Sequence, residues 1–119
     1  MQTEDFKKFL EEKRAWYKTI KTVFCPVLND WVIFNAKGFY HLRYDGTGAM
    51  RSRKEQQRRF KALELSIEVV LGAVQIKDFQ KRTSGEYWRI EKYIKNKYIS
   101  VILRRNDSGP IIFYSTWQD

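Results

Sequence analysis

At 119 residues, 43% apolar and 16% aromatic, the chain has material for one domain around one hydrophobic core, which argues against disorder although 31% of its residues are charged. A net charge of +9 selects polyanionic partners: RNA, DNA or an acidic membrane surface. One cysteine, Cys25, and one histidine, His41, exclude a zinc finger and an intramolecular disulfide framework, and no apolar run reaches the roughly 20 residues of a membrane span.

The charged stretch MQTEDFKKFLEEKR argues against a signal peptide, and with the lone thiol it points to a reducing cytoplasm. Residues 3–21 read as a helix: Phe6, Phe9, Leu10, Trp16, Tyr17 and Ile20 fall in one stripe at 3.6-residue spacing, Thr3 is the N-cap, and Pro26 stops any continuation. Residues 30–35, DWVIFN, read as a short strand. The stretch AKGFYHLRYDGTGAM reads as loop with room for a short helix over 36–42, and it holds the only histidine.

The spacing of Phe60, Leu63, Ile67, Val70, Leu71 and Val74 predicts the strongest helix, over 50–72, with Gly72 as its stop. Arg51, Lys54, Arg58 and Lys61 fall on the opposite, solvated face. Arg53 and Gln56 lie near the apolar stripe, so Arg53 overhangs the edge of the core. Beyond residue 72 the period changes to two. AVQIKDF is a candidate strand, and EYWRIEKYIK, KYISVILRR and PIIFYSTW read as three consecutive strands, turning at Asn96-Lys97 and at 106–109. The whole is one α+β domain over 1–119, two main helices packed on one face of a four- or five-stranded antiparallel sheet, with residues 1–25 as an N-terminal helical segment and 26–119 as the core.

Those turns set the register. One face carries Trp88, Ile90, Ile94, Ile99, Val101, Leu103, Ile112 and Tyr114, with Lys92 as the misfit. The other carries Tyr87, Arg89, Glu91, Tyr93, Ser100, Ile102, Arg104, Ile111, Phe113, Ser115 and Trp117. Arg89 then faces Arg104, and Ser100 faces Ser115. Two arginines side by side repel, so the pair reads either as a cradle for a bridging anion or as a site neutralised by Glu91. A basic sheet with exposed rings suits single-stranded nucleic acid, because phosphates need cations and unstacked bases need flat partners. Phe113 and Trp117 are the stacking candidates.

GFYHLRY at 38–44, RSRKEQQRRFKALEL at 51–65, YWRIEKYIKNKYISVILRR at 87–105 and GPIIFYSTW at 109–117 together cover about the last two-thirds of the chain. In order and character they resemble the barnase–EndoU–colicin–RelE superfamily of small endoribonucleases, in particular its phage-type branch. The resemblance implies a metal-independent endoribonuclease, often a toxin, that activates the 2′-hydroxyl beside the scissile phosphate and leaves a cyclic phosphate. It places His41 at the polar position before the basic helix, Arg104 at the basic position on a central strand, and Ser115 or Thr116 at the hydroxyl position on the last strand.

The EndoU branch uses two histidines and this chain has one, so the second proton-transfer role falls to Arg, Lys, Tyr or Glu, with Glu91 an alternative base. Catalysis is then expected from His41, Arg104 and Ser115, and RNA contacts from Arg43, Arg51, Arg53, Arg58, Arg59, Arg89, Thr116 and Trp117. The substrate class is single-stranded RNA or tRNA. No P-loop, GxGxxG, GxSxG or metal-ligand spacing is present, so no cofactor or metal is expected. Two further readings share the scaffold: a non-catalytic RNA-binding module, and a toxin-like domain bound by an acidic antitoxin or immunity protein.

Overall fold

The computed structural model describes residues 3–119. Among them three helices and six strands follow in the order α1 (Thr3–Tyr17), β1 (Thr22–Cys25), β2 (Asp30–Ile33), α2 (Ala36–Arg43), α3 (Arg53–Gly72), β3 (Ile76–Arg82), β4 (Gly85–Ile94), β5 (Lys97–Arg105) and β6 (Ile111–Gln118). All six strands join one sheet in the spatial order β1-β2-β6-β5-β4-β3. The run from β3 to β6 is an antiparallel meander, whereas β2 lies parallel to β6 through Val32–Ile111 and Ile33–Ile112. The architecture is α+β, but the sheet is six-stranded and mixed rather than four- or five-stranded and antiparallel, and a third helix is present. The sequence reading misses β1 because TVFC is too short to show a period. That strand pairs with β2 over a turn in which Asn29 takes φ 53°.

Local chemistry explains the helix ends. Asn35 caps α2 by accepting from the Lys37 amide at 3.1 Å, and Ser52 caps α3 by accepting from the Glu55 amide at 3.1 Å. α1 stops at Tyr17, short of the expected residue 21, where Lys21 takes φ 61°. α3 packs across β4, β5, β6 and β1, and α2 lies against β6. The buried stripe of α3 is Gln56, Phe60, Ala62, Leu63, Ser66, Val69 and Val70; Leu71 and Val74, expected inside, are 51% and 91% exposed, Leu71 off that stripe in the last turn and Val74 beyond the end of the helix. Lys92, the misfit on the core face, runs over the end of α3, where a Cβ on Gly72 would stand 2.7 Å from its Nζ. The missing side chain gives the ammonium a way out beside the helix C-terminus.

Two local features set the strand faces. Lys95 and Asn96, at φ 51° and 63°, form the two-residue turn that joins β4 to β5. The turn lies one residue earlier than Asn96-Lys97, which slides the pairing by two residues. The faces survive but the partners change: Arg89 faces Ile102 and Arg104 faces Tyr87, so the arginine pair does not form. Between β5 and β6 the loop spans 106–110, and a bulge follows: Leu103 pairs Phe113, but Ile102 pairs Ser115. The loop is one residue longer than expected, so Ile111 and Phe113 enter the core instead of the open face while Tyr114 leaves it, and the bulge restores the expected phase from Ser115 on. Ser100 consequently faces Trp117, not Ser115.

Phe113 stacks on Phe34 at 4.7 Å and 9° and is fully buried. A Cβ on Gly38 would stand 2.5 Å from its ring and 2.6 Å from its carbonyl oxygen. Gly38→Ala should therefore destabilise the fold by about 1–3 kcal/mol. Helix propensity alone would stabilise the variant by about 1 kcal/mol, so a lowered urea midpoint reads out the clash directly. An unchanged or raised midpoint would show that α2 can stand off β6 without cost.

Candidate nucleic-acid interface

The phase of β6 set by the five-residue loop brings Tyr114 to the ring of His41, with centroids 4.0 Å apart. A continuous row of rings results. Tyr44 stacks on Tyr40 at 4.5 Å, Tyr40 meets His41 at 5.6 Å, and Tyr114 meets Tyr87 edge-on at 5.6 Å. Guanidinium groups border the row: Arg43 stands 5.5 Å from the Tyr44 ring, Arg104 is 5.6 Å from Tyr114 and 5.5 Å from Tyr87, and Arg82 is 4.9 Å from Tyr87. Rings at near-base spacing with cations beside them form a stacking platform for a single strand.

His41 and Arg104 thus share Tyr114 as a neighbour. Burial lowers the His41 pKa below its usual 6.5, and the charges of Lys37, Arg104 and Arg51 lower it further. The imidazole is neutral at neutral pH and able to accept a proton. Tyr114 is held the other way: burial raises its pKa, as does Tyr87, so its hydroxyl keeps its proton. Arg104 donates to the Ser84 carbonyl at 2.7 Å and has no carboxylate partner among the described residues. Its Nε is buried and unpaired there. Arg89 shares that buried Nε, but Arg104 is partly exposed and held by ring faces rather than by a counter-ion, an arrangement suited to an incoming phosphate.

Arg89 is different. It contacts Glu91 at 3.3 Å, Asp119 at 3.5 Å and the Ser100 hydroxyl at 3.2 Å, and lies 5.3 Å from the Trp117 ring. Glu91 also pairs with Lys77 at 3.6 Å and is 8% exposed, so it serves as the counter-charge of this cluster. Trp117 lies between Arg89 and Arg59, its indole N–H donating to Asp119 at 2.7 Å. Arg59 binds Glu55 at 2.9 Å and donates to the Ser115 hydroxyl at 3.1 Å. Between the two clusters a groove of about 300 Å³ runs over Arg82, Tyr87, Arg89, Ile102, Tyr114 and Trp117, with Asp78 at its rim.

The remaining sequence-predicted residues divide sharply. Thr116 is fully buried and donates to the Ser100 carbonyl at 2.7 Å, and Phe113 is in the core, so neither can touch RNA; Phe113 is turned inward by the longer β5–β6 loop, and Thr116 lies opposite the buried Val101. Ser115 is 6% exposed and already holds Arg59. Arg53 lies against Phe6, 5.2 Å from its ring, and donates to Thr3 at 3.2 Å, bracing α1 and away from the ring row. Arg58 is exposed beside Glu55. Arg43 and Arg51 stand at the α2–α3 junction: Arg43 donates to the buried Gln56 at 3.3 Å, and Arg51 donates to the His41 carbonyl at 3.2 Å. Tyr40, Tyr44, Tyr114 and Arg82 are absent from the sequence-predicted site. The signal for the first two is their i, i+4 spacing on α2; Tyr114 has none, since only the length of the β5–β6 loop turns it outward.

Among the described residues no group of three His, Cys, Asp or Glu side chains converges as a metal site would require, and no helix is long and apolar enough to cross a membrane. Comparison with protein families, with curated proteins and with solved structures finds no match.

The lowered His41 pKa has a consequence for stability. As pH falls below 6.5 the unfolded chain takes up its proton before the folded chain does. Stability therefore falls with pH between 6.5 and the folded-state pKa, and the effect is absent above that window. Melting temperatures of wild type and His41→Gln, compared from neutral pH downward, should diverge against the wild type in that window. A constant difference would mean that His41 titrates at its ordinary value.

Proposed function

We propose that this chain is a metal-independent endoribonuclease of the barnase–EndoU–colicin–RelE type, acting on single-stranded RNA. The observation that carries the reading is the neutral His41 imidazole and the uncompensated Arg104 guanidinium meeting at one ring, Tyr114, within a row of aromatic residues. The strand lies along the rings with its phosphates toward Arg82 and Arg104. His41 removes the 2′-hydroxyl proton, the 2′-oxygen attacks phosphorus, and Arg104 stabilises the charge that develops on the non-bridging oxygens. The bond to the 5′-oxygen breaks, and that oxygen takes a proton, which we assign to the Tyr114 hydroxyl. The products are a 2′,3′-cyclic phosphate and a 5′-hydroxyl. Ser115, enclosed behind Arg59, has no step in this scheme.

The enclosure of Ser115 favours a second reading, a non-catalytic RNA-binding module that uses the same rings without cleavage. Incubation with single-stranded RNA in EDTA, followed by end-group analysis, separates the two. Cyclic phosphate ends are expected, with His41→Ala slower by about 10²–10⁴-fold and Tyr114→Phe slowed while still binding. Full activity of His41→Ala would remove the imidazole from the mechanism; tight binding with no cleavage by the wild type would leave the binding module.

Affinity supplies an independent check. The logarithm of affinity should fall with the logarithm of salt at about −0.7 per phosphate neutralised, and Arg104→Ala should flatten that slope more than Arg89→Ala, whose charge is already paired. Bound phosphates should also raise the His41 pKa toward or above its usual 6.5, since a nearby anion offsets Lys37, Arg51 and Arg104. The single histidine makes its proton resonance an unambiguous probe. An affinity indifferent to salt, or a His41 pKa unmoved by oligonucleotide, would sink the nucleic-acid reading.

A further inference from the structure

A second cavity, of about 440 Å³, opens on the far end of the ring row, between the end of α1 and α2. Its walls are the rings of Tyr17, Phe34, Phe39, Tyr40 and Tyr44, and its rim carries Arg14, Lys18, Lys21 and Arg43. Four cations and no carboxylate line it among the described residues, so the occupant is anionic. Ala36 is its one aliphatic residue, so the surface is made of flat rings rather than the branched side chains that would enclose an acyl chain.

Tyr40 belongs both to this cavity and to the row that reaches His41 and Tyr114, so the cavity is continuous with the proposed RNA path. Asn35 adds a polar group: its side-chain oxygen caps α2, and its NH₂ has no partner among the described residues. A planar body, a negative charge beside it and a donor for its edge together describe one nucleotide.

We propose that this cavity is a nucleotide subsite that takes one unstacked base of the bound RNA strand, stacked on the Tyr40–Tyr44 pair, with the flanking phosphates on Arg43, Lys18 and Lys21. The proposal rests on the RNA reading above and adds to it a position at which base identity matters. The groove over Tyr87, Tyr114 and Trp117 tracks the strand; the cavity holds a single base out of it. The site lies at the other end of the ring row from Arg104 and takes no part in bond cleavage.

The test uses the full chain and a single-stranded octanucleotide methylated at every 2′-oxygen, so that it binds without being cut. One abasic substitution, moved along the octamer, should cost the wild type about tenfold at one position and cost the Tyr40→Ala/Tyr44→Ala variant less than twofold at that position. Lys18→Glu, an exposed change that leaves the core intact, should weaken the intact octamer several-fold. Nucleoside monophosphates added alone should shift the resonances of Phe39 and Tyr44. Failure of the wild type to bind any octamer would overturn the RNA reading and the subsite together. Wild-type binding that both variants share unchanged, with every abasic position equivalent, would overturn the subsite alone. Myristate, rather than nucleotide, moving the Phe39 and Tyr44 signals would also overturn it.

Discussion

Phe113 and Gly38 share a space too small for one more carbon. The ring of Phe113 is fully buried against Phe34, and α2 can approach β6 only because residue 38 has no side chain to meet that ring and its carbonyl. The contact does more than close the core. It sets the height of α2 on the sheet, and His41 rides on that helix three residues beyond the glycine. One residue beyond Phe113 the alternation of the strand turns Tyr114 outward, so the helix and the strand present their rings to each other at 4.0 Å. A core-packing constraint and the loop length that sets the phase of β6 together build the candidate site.

The arginines of the open face are not equivalent. Arg89 sits in a closed network with Glu91, Asp119 and Ser100, and most of its charge is spent within the protein. Arg104 is held by two tyrosine rings and a carbonyl, which position the guanidinium without neutralising it. A phosphate approaching Arg104 displaces no counter-ion, whereas one approaching Arg89 must compete with two carboxylates. The same logic separates Arg82 from Arg58 and Arg59, which share Glu55. Rings that hold a cation in place also offer their faces to bases, so in this sheet the stacking surface and the electrostatic surface are one structure.

The opposite edge follows a different rule. Every residue of β3 is exposed, and Lys77, Asp78, Lys81 and Arg82 along it discourage pairing with another chain. The bulge between Ile76 and Asp78 further breaks the edge. At the other end of the sheet β1 is short and pairs only with β2. The polar chemistry of the sheet therefore concentrates over β3 to β6, where Arg82 of β3 joins the rings and cations of the three strands beside it.

The two long helices and the meander were legible as periodicity, because the core they share imposes a spacing of 3.6 on one and of 2 on the other; the short α2 was legible only as room for a helix. The alternation in β4 and β5 told which residues are buried, and a turn displaced by one residue left those faces unchanged, since it moved the pairing by an even number. The sequence also determined the net charge of +9, and a single histidine before a basic helix. What it could not contain was the length of the β5–β6 loop: one extra residue, Pro110, shifts the phase of the strand, sending Ile111 and Phe113 inward and Tyr114 outward, and the bulge beyond Phe113 restores the expected phase from Ser115 on, with no change in composition or period to announce either. It offered Glu91 as a counter-charge for the arginine pair but not which arginine it serves: the displaced turn separates Arg104 from Arg89, leaving Glu91 and the C-terminal Asp119 to Arg89 alone. Local spacing decided the elements; long-range register alone decided which side chains meet, because a contact between strands is fixed by the count of residues in turns and bulges that no local preference controls.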